Sequence, residues 1–163
     1  MHNLSIDDIR PRLEEARLAP TLLGVGKAAA AVVQEYYRTG AGLVLVPITD
    51  GGIIIEGSPS HRANIRLLGK KISELSEHNE EHIPIFDQLI FKPFIDKHRL
   101  IWESKKTHMG VYYHHILSEF YQPILDTGLI MVGFFGHGWE RSTSCKYVHR
   151  FLDKKERKTI VLQ

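Results

Sequence analysis

The chain has 163 residues, 43% of them hydrophobic and 25% charged, and a formal net charge of +2 at pH 7. That is the size and composition of one soluble globular domain with a core of its own, and so small a net charge excludes an electrostatic argument for nucleic acid or membrane as partner. The single Cys145 excludes an intramolecular disulfide, no basic-then-apolar leader opens the chain, and the apolar runs Leu43–Ile48 and Gly128–Phe135 fall far short of the roughly 20 residues of a membrane span, so a cytoplasmic address is expected.

Ser5 followed by Asp7 and Asp8 is a helix start, and the helix is expected to run to about Leu18, before Pro20. A second helix is expected from about Gly26 to Arg38, stopping at Gly40. Gly24-Val-Gly-Lys27 has part of a phosphate loop, but it lacks the first glycine and the Ser or Thr after the lysine, and it follows no strand. Its glycines are read as punctuating the turn between the two helices.

Gly42 to Ile48 is a short apolar run suited to a strand covered on both faces, ending at Thr49-Asp-Gly-Gly52. Ser60 to about Glu77 carries Ile65, Leu68, Ile72 and Leu75 on one helical stripe. It leads to Ile83–Asp87, a second strand that Pro84 places near an edge. His78-Asn-Glu-Glu-His82 has the order of one metallopeptidase class, but Pro84 leaves little helix to hold the pair; it is read as a solvated helix end, and no metal is expected.

From Tyr113 the spacing of Ile116, Leu117, Phe120, Tyr121, Ile124 and Leu125 gives the clearest amphipathic stripe, with Pro123 inside it to kink or break the helix. The pairs Tyr112-Tyr113 and His114-His115 split between helix faces. Gly128–Phe135 is the third strand, Ser142 to about Lys154 the last helix, and Thr159–Leu162 the fourth strand. Lys146, Arg150, Lys154, Lys155, Arg157 and Lys158 make the last helix locally basic, which is read as a solvated face.

Short apolar strands alternating with amphipathic helices imply an α/β fold: an open, mostly parallel sheet of four or five strands flanked by helices, Rossmann-like or flavodoxin-like. Ligands of such sheets bind outside the carboxyl ends of the strands. The residues placed there are Thr49, Asp50, Gly51 and Gly52, then Asp87 and Gln88, then Gly136 through Ser144. In the last group a Gly-rich loop opens a helix at Ser142, Thr143 and Ser144, whose amides carry the positive end of the helix dipole and suit a phosphate. His137 lies where a ligand would be touched, and Trp139 is either a lid over a flat ring or a plug under the helix.

At Ile124-Leu-Asp-Thr-Gly-Leu-Ile-Met-Val-Gly133, then Gly138-Trp-Glu-Arg-Ser-Thr-Ser-Cys145 and a closing helix and strand, the chain resembles the nucleoside 2-deoxyribosyltransferase-like superfamily. That group includes nucleotide N-glycoside hydrolases and small relatives carrying Gly-Trp-Glu-x-Ser-x-Gly-Ala-x-x-Glu. The resemblance implies a nucleoside, nucleotide or related ribosyl compound as small-molecule partner, cleavage or transfer of its N-glycosidic bond, and Ser142 as the residue touching the nucleotide. It implies a nucleotide-binding-like core over 41–163 within a single domain, residues 1–40 being an extension of two helices and 53–59 and 92–108 insertions.

The match departs from the family where chemistry matters. Ser144 stands in place of glycine, and Val148 in place of the glutamate that attacks the anomeric carbon. A valine has no lone pair with which to form a glycosyl ester, and with Cys145 and Leu152 it forms an apolar i, i+3, i+7 stripe. Either another carboxylate acts, with Asp87 and Glu140 the first candidates and Asp50 and Glu56 on the rim, or the protein is a sensor or sequestering protein that binds without cleaving. A third reading is a protein-interaction module forming a homo-oligomer through its N-terminal helices. No cofactor, nucleic acid or membrane partner is expected.

Overall fold

The computed structural model describes residues 4–47, 59–80, 82–104 and 116–162. In chain order the elements are α1 (Arg10–Leu18), α2 (Leu22–Tyr36), β1 (Ala41–Leu45), α3 (Pro59–His78), a 3₁₀ turn (Gln88–Phe91) and α4 (Lys92–Ser104). A π-helical segment (Ile116–Tyr121) follows, then α5 (Gln122–Asp126), β2 (Ile130–Phe135), a 3₁₀ turn (Trp139–Arg141), α6 (Thr143–Lys154) and β3 (Lys158–Val161). The class is α/β, with an open, wholly parallel sheet in the order β1-β2-β3. The chain divides into two compact units, Met1–Thr39 with Gln88–Leu129, and Gly40–Asp87 with Ile130–Gln163. No helix among the described residues is long and apolar enough to cross a membrane.

The second unit holds the sheet. Every residue of β1 is buried, and so is all of β2 except Met131, as continuous apolar runs between covering layers require. α3 packs on β1 with Leu68 and Ile72 buried, and α6 packs on β2 and β3 through Cys145, Val148 and Leu152. Burial of each large apolar side chain contributes about 1.5–3 kcal/mol.

Among the described residues the expected four or five strands reduce to three, because Ile83–Asp87 makes a single bridge, Ile85 to Gly42, on the outer side of β1. Gly42 donates its N–H to the Pro84 carbonyl (2.8 Å) and Phe86 donates to the Gly42 carbonyl (2.9 Å). Pro84 has no N–H with which to carry the ladder back toward the start of β1, and the chain leaves the sheet into a 3₁₀ turn at Gln88. Behind the bridge, the buried Asn79 side chain accepts from the Ile83 N–H (2.8 Å) and donates to the Ile83 carbonyl (3.0 Å).

In the other unit α1 packs on α2, and Arg12 reaches both Glu35 and Glu15. Its hydrogen bond to Glu35, and then that to Glu15, raise the Arg12 pKa. The helix expected from Ser5 begins at Arg10 instead: Ser5 and Asp8 close a separate turn on each other, and Pro11, which cannot donate to a carbonyl four residues back, occupies the first turn of α1. Gly24 and Gly26 do not mark a turn. Thr21 caps α2 by accepting from the Gly24 N–H (3.3 Å), and the helix runs through both glycines.

Gly26 is needed for an approach. A β-carbon there would stand 1.9 Å from the Glu119 carbonyl oxygen in the π-helical segment. Pro123, four residues after Glu119, offers that oxygen no α-helical N–H, so the expected break takes the form of a widened turn before α5. Residues 92–108, read as an insertion, contain α4, whose His98 is 6% exposed and hydrogen-bonded to the Ala19 backbone.

Candidate functional site

The carboxyl end of β2 is tied to both neighbouring strands. Gly136 donates its N–H to the Leu45 carbonyl and Leu162 donates to the Phe135 carbonyl, each at 2.8 Å. The chain then reverses at Gly138, whose φ of +80° is open to glycine at little cost. A 3₁₀ turn follows, with Arg141 donating to the Gly138 carbonyl and Ser142 to that of Trp139, both at 3.0 Å.

Ser142 is the N-cap of α6 in extended conformation; its hydroxyl accepts from the Cys145 N–H at 3.3 Å and its carbonyl from the Lys146 N–H at 2.9 Å. The cap expected from the sequence is therefore formed, and it uses up the Ser142 side chain, which is buried. Burial of Cys145 pushes its thiol up to about 11, against the opposing effect of its hydrogen bond with Ser142. At neutral pH the thiol is therefore held protonated.

A cleft of about 520 Å³ opens at the ends of β2 and β3, lined by His137, Gly138, Trp139, Glu140, Arg141, Val161 and Leu162. Trp139 lines the cleft and also packs inward. Its ring stacks on His149 (centroids 4.3 Å, planes 19° apart) and leans on Phe135 (5.4 Å), while His149 meets Phe135 edge-on at 5.0 Å. The Trp139 indole N–H is buried and has no hydrogen-bond partner among the described residues. Glu140 and Arg141 are exposed, and neither makes an ion pair among the described residues.

Of the residues singled out from the sequence, the cleft gathers His137, Trp139 and Glu140. Ser142, Thr143 and Ser144 begin α6 but do not line it. Asp87 follows the bridge on the outer side of β1, three strand intervals from β3, or roughly 14 Å at the usual strand spacing. Thr49, Asp50, Gly51, Gly52 and Glu56 lie outside the described residues.

The cleft also takes in Gly138 and Arg141 from the same expected loop, whereas Val161 and Leu162 were missed by sequence reasoning. Arg141 was expected at the strand end with the rest of Gly136 through Ser144, and a basic residue beside a helix start is a signal for anion contact. Val161 and Leu162 arrive only through the pairing of β3 with β2. Val148 is fully buried against the sheet. His78 ends α3 and His82 lies beyond it with φ of +54°, so the two do not share a helix face. No group of three or more metal-binding side chains occurs among the described residues. Compared with family models, curated proteins and solved structures, the chain matches none.

Proposed function

We propose that the sheet unit binds a nucleoside, nucleotide or related ribosyl compound in the cleft at the ends of β2 and β3, and does so without a nucleophile at position 148. The composition of the cleft carries this reading. Trp139, Val161 and Leu162 supply apolar surface for a base or the carbon face of a ribose, while Arg141 and His137 supply donors for a phosphate. Its location is the one at which open parallel sheets take their ligands. If the Ile85 bridge counts as a rudimentary strand, the order across the sheet is second, first, third, fourth, the order of a flavodoxin-like sheet. The resemblance of the loop and helix start to the nucleoside 2-deoxyribosyltransferase-like superfamily supports the same reading.

Burial of Val148 favours binding without turnover, as a sensor or sequestering protein. The competing reading, N-glycosidic cleavage, rests on Glu140, the carboxylate that lines the cleft. Calorimetric titration with nucleosides and their monophosphates, paired with chromatography for released base, tests both. Monophosphates are expected to bind and, in Arg141→Ala, to weaken about tenfold or more while nucleosides change little. Failure of every ligand to bind at millimolar concentration overturns the proposal. Free base released by the wild type and not by Glu140→Gln replaces the binding role with a catalytic one.

A further inference from the structure

The outward face of α6 is a row of cations. Lys146, Arg150 and Lys154 recur at i, i+4 and i+8, all exposed, on the side of the helix opposite buried Cys145, Val148 and Leu152. Successive members are about 6 Å apart along the axis. None of the three makes an ion pair among the described residues. Lys155 continues the row with its ammonium 5.9 Å from the Phe151 ring centroid, and Arg157 and Lys158 lead into β3. Between Thr143 and Lys158 there are six cations against two acids, Asp153 and Glu156, a local excess larger than the net +2 of the whole chain. Charge is thus segregated onto this segment, and the rest of the chain is net acidic. Beside the cations runs a second row, half-buried Tyr147 and Phe151, again four apart.

We propose that this face of α6 binds the phosphodiester backbone of single-stranded nucleic acid. A low net charge had argued against such a partner, but the attraction acts over a Debye length and reads local charge, not the total. Evenly spaced, unpaired cations track a polyanion, and an adjoining aromatic row offers ring surface to bases, the combination that single-strand sites use. An anionic membrane fits less well: a helix bound to a bilayer inserts its apolar face, and that of α6 is occupied by the sheet.

Fluorescence anisotropy with a labelled oligothymidylate is the test. Binding is expected at low salt, with an affinity that falls as salt rises; three contacts at about 0.7 each give a log–log slope near −2. The triple variant Lys146→Glu/Arg150→Glu/Lys154→Glu is expected to abolish binding, and Lys146→Gln alone to flatten the slope by about 0.7. These side chains are exposed, and an unchanged circular dichroism spectrum with an unchanged melting temperature shows that the variants fold. The proposal is overturned by no anisotropy change at low salt, by equal binding of wild type and triple variant, or by tighter binding of a duplex. Binding of phosphatidylserine vesicles in place of the oligonucleotide overturns it as well.

Discussion

Gly26 of α2 lies so close to the main-chain oxygen of Glu119 that a β-carbon on it would stand 1.9 Å from that oxygen and 2.9 Å from the Phe120 α-carbon. The clash is between backbones, so no rotamer relieves it. Gly26→Ala is therefore expected to push the π-helical segment away from α2 and destabilise the fold by about 3 kcal/mol or more, read from urea midpoints. Gly24→Ala, whose new methyl would press on the Ala19 β-carbon at 2.8 Å and meet backbone no nearer than 3.7 Å, is the milder control. Equal midpoints for the two variants would show that Ile116–Tyr121 yields freely.

Val148→Glu places an unpaired carboxylate in the fully buried seam between α6 and the sheet. The expected outcome is a loss of more than about 3 kcal/mol of stability and no gain of glycosidase activity. A folded, base-releasing variant would show instead that position 148 reaches the ligand and that the helix has room to turn.

His98 gives the protein a pH dependence of known sign. Burial, then the charge of Lys97, hold its imidazole below the ordinary histidine value, with the Ala19 backbone hydrogen bond and Glu119 acting the other way. The unfolded chain then takes up a proton at a pH where the folded chain does not. Stability is complete above about pH 6.5 and is lost as pH falls from there toward the lower folded value. Urea unfolding at several pH values through this window, in wild type and His98→Gln, checks it: the variant is expected to lose less stability on acidification.

Cys145 is expected to resist thiol reagents in the native state, because burial keeps it protonated at neutral pH and screens it from attack. A disulfide reagent such as Ellman's should titrate it within minutes in denaturing urea and only on the timescale of global opening without urea. Immediate native labelling would place the start of α6 in solvent.

The sequence was most legible where local pattern and tertiary burial coincide. The apolar run of β1, the Cys145, Val148 and Leu152 stripe, the Ser142 cap and the existence of β3 all follow from local pattern and capping chemistry. It was least legible where distant contacts decide. Two glycines read as a turn because the Glu119 carbonyl that requires one of them lies far along the chain. α4 was read as part of an insertion, and His98 gave no local sign of its burial. In the cleft, the loop residues His137, Trp139 and Glu140 were readable from their place after a strand. Val161 and Leu162 were not, since it is the bond from the Leu162 N–H to the Phe135 carbonyl that brings them there.

The Asn79 carboxamide has the donor and acceptor of a peptide group, and it presents both to Ile83 as a neighbouring strand would. One side chain thereby impersonates the next chain in a growing ribbon. A foreign segment approaching beside Ile83 finds that peptide already engaged, which guards this flank of the sheet against runaway polymerisation.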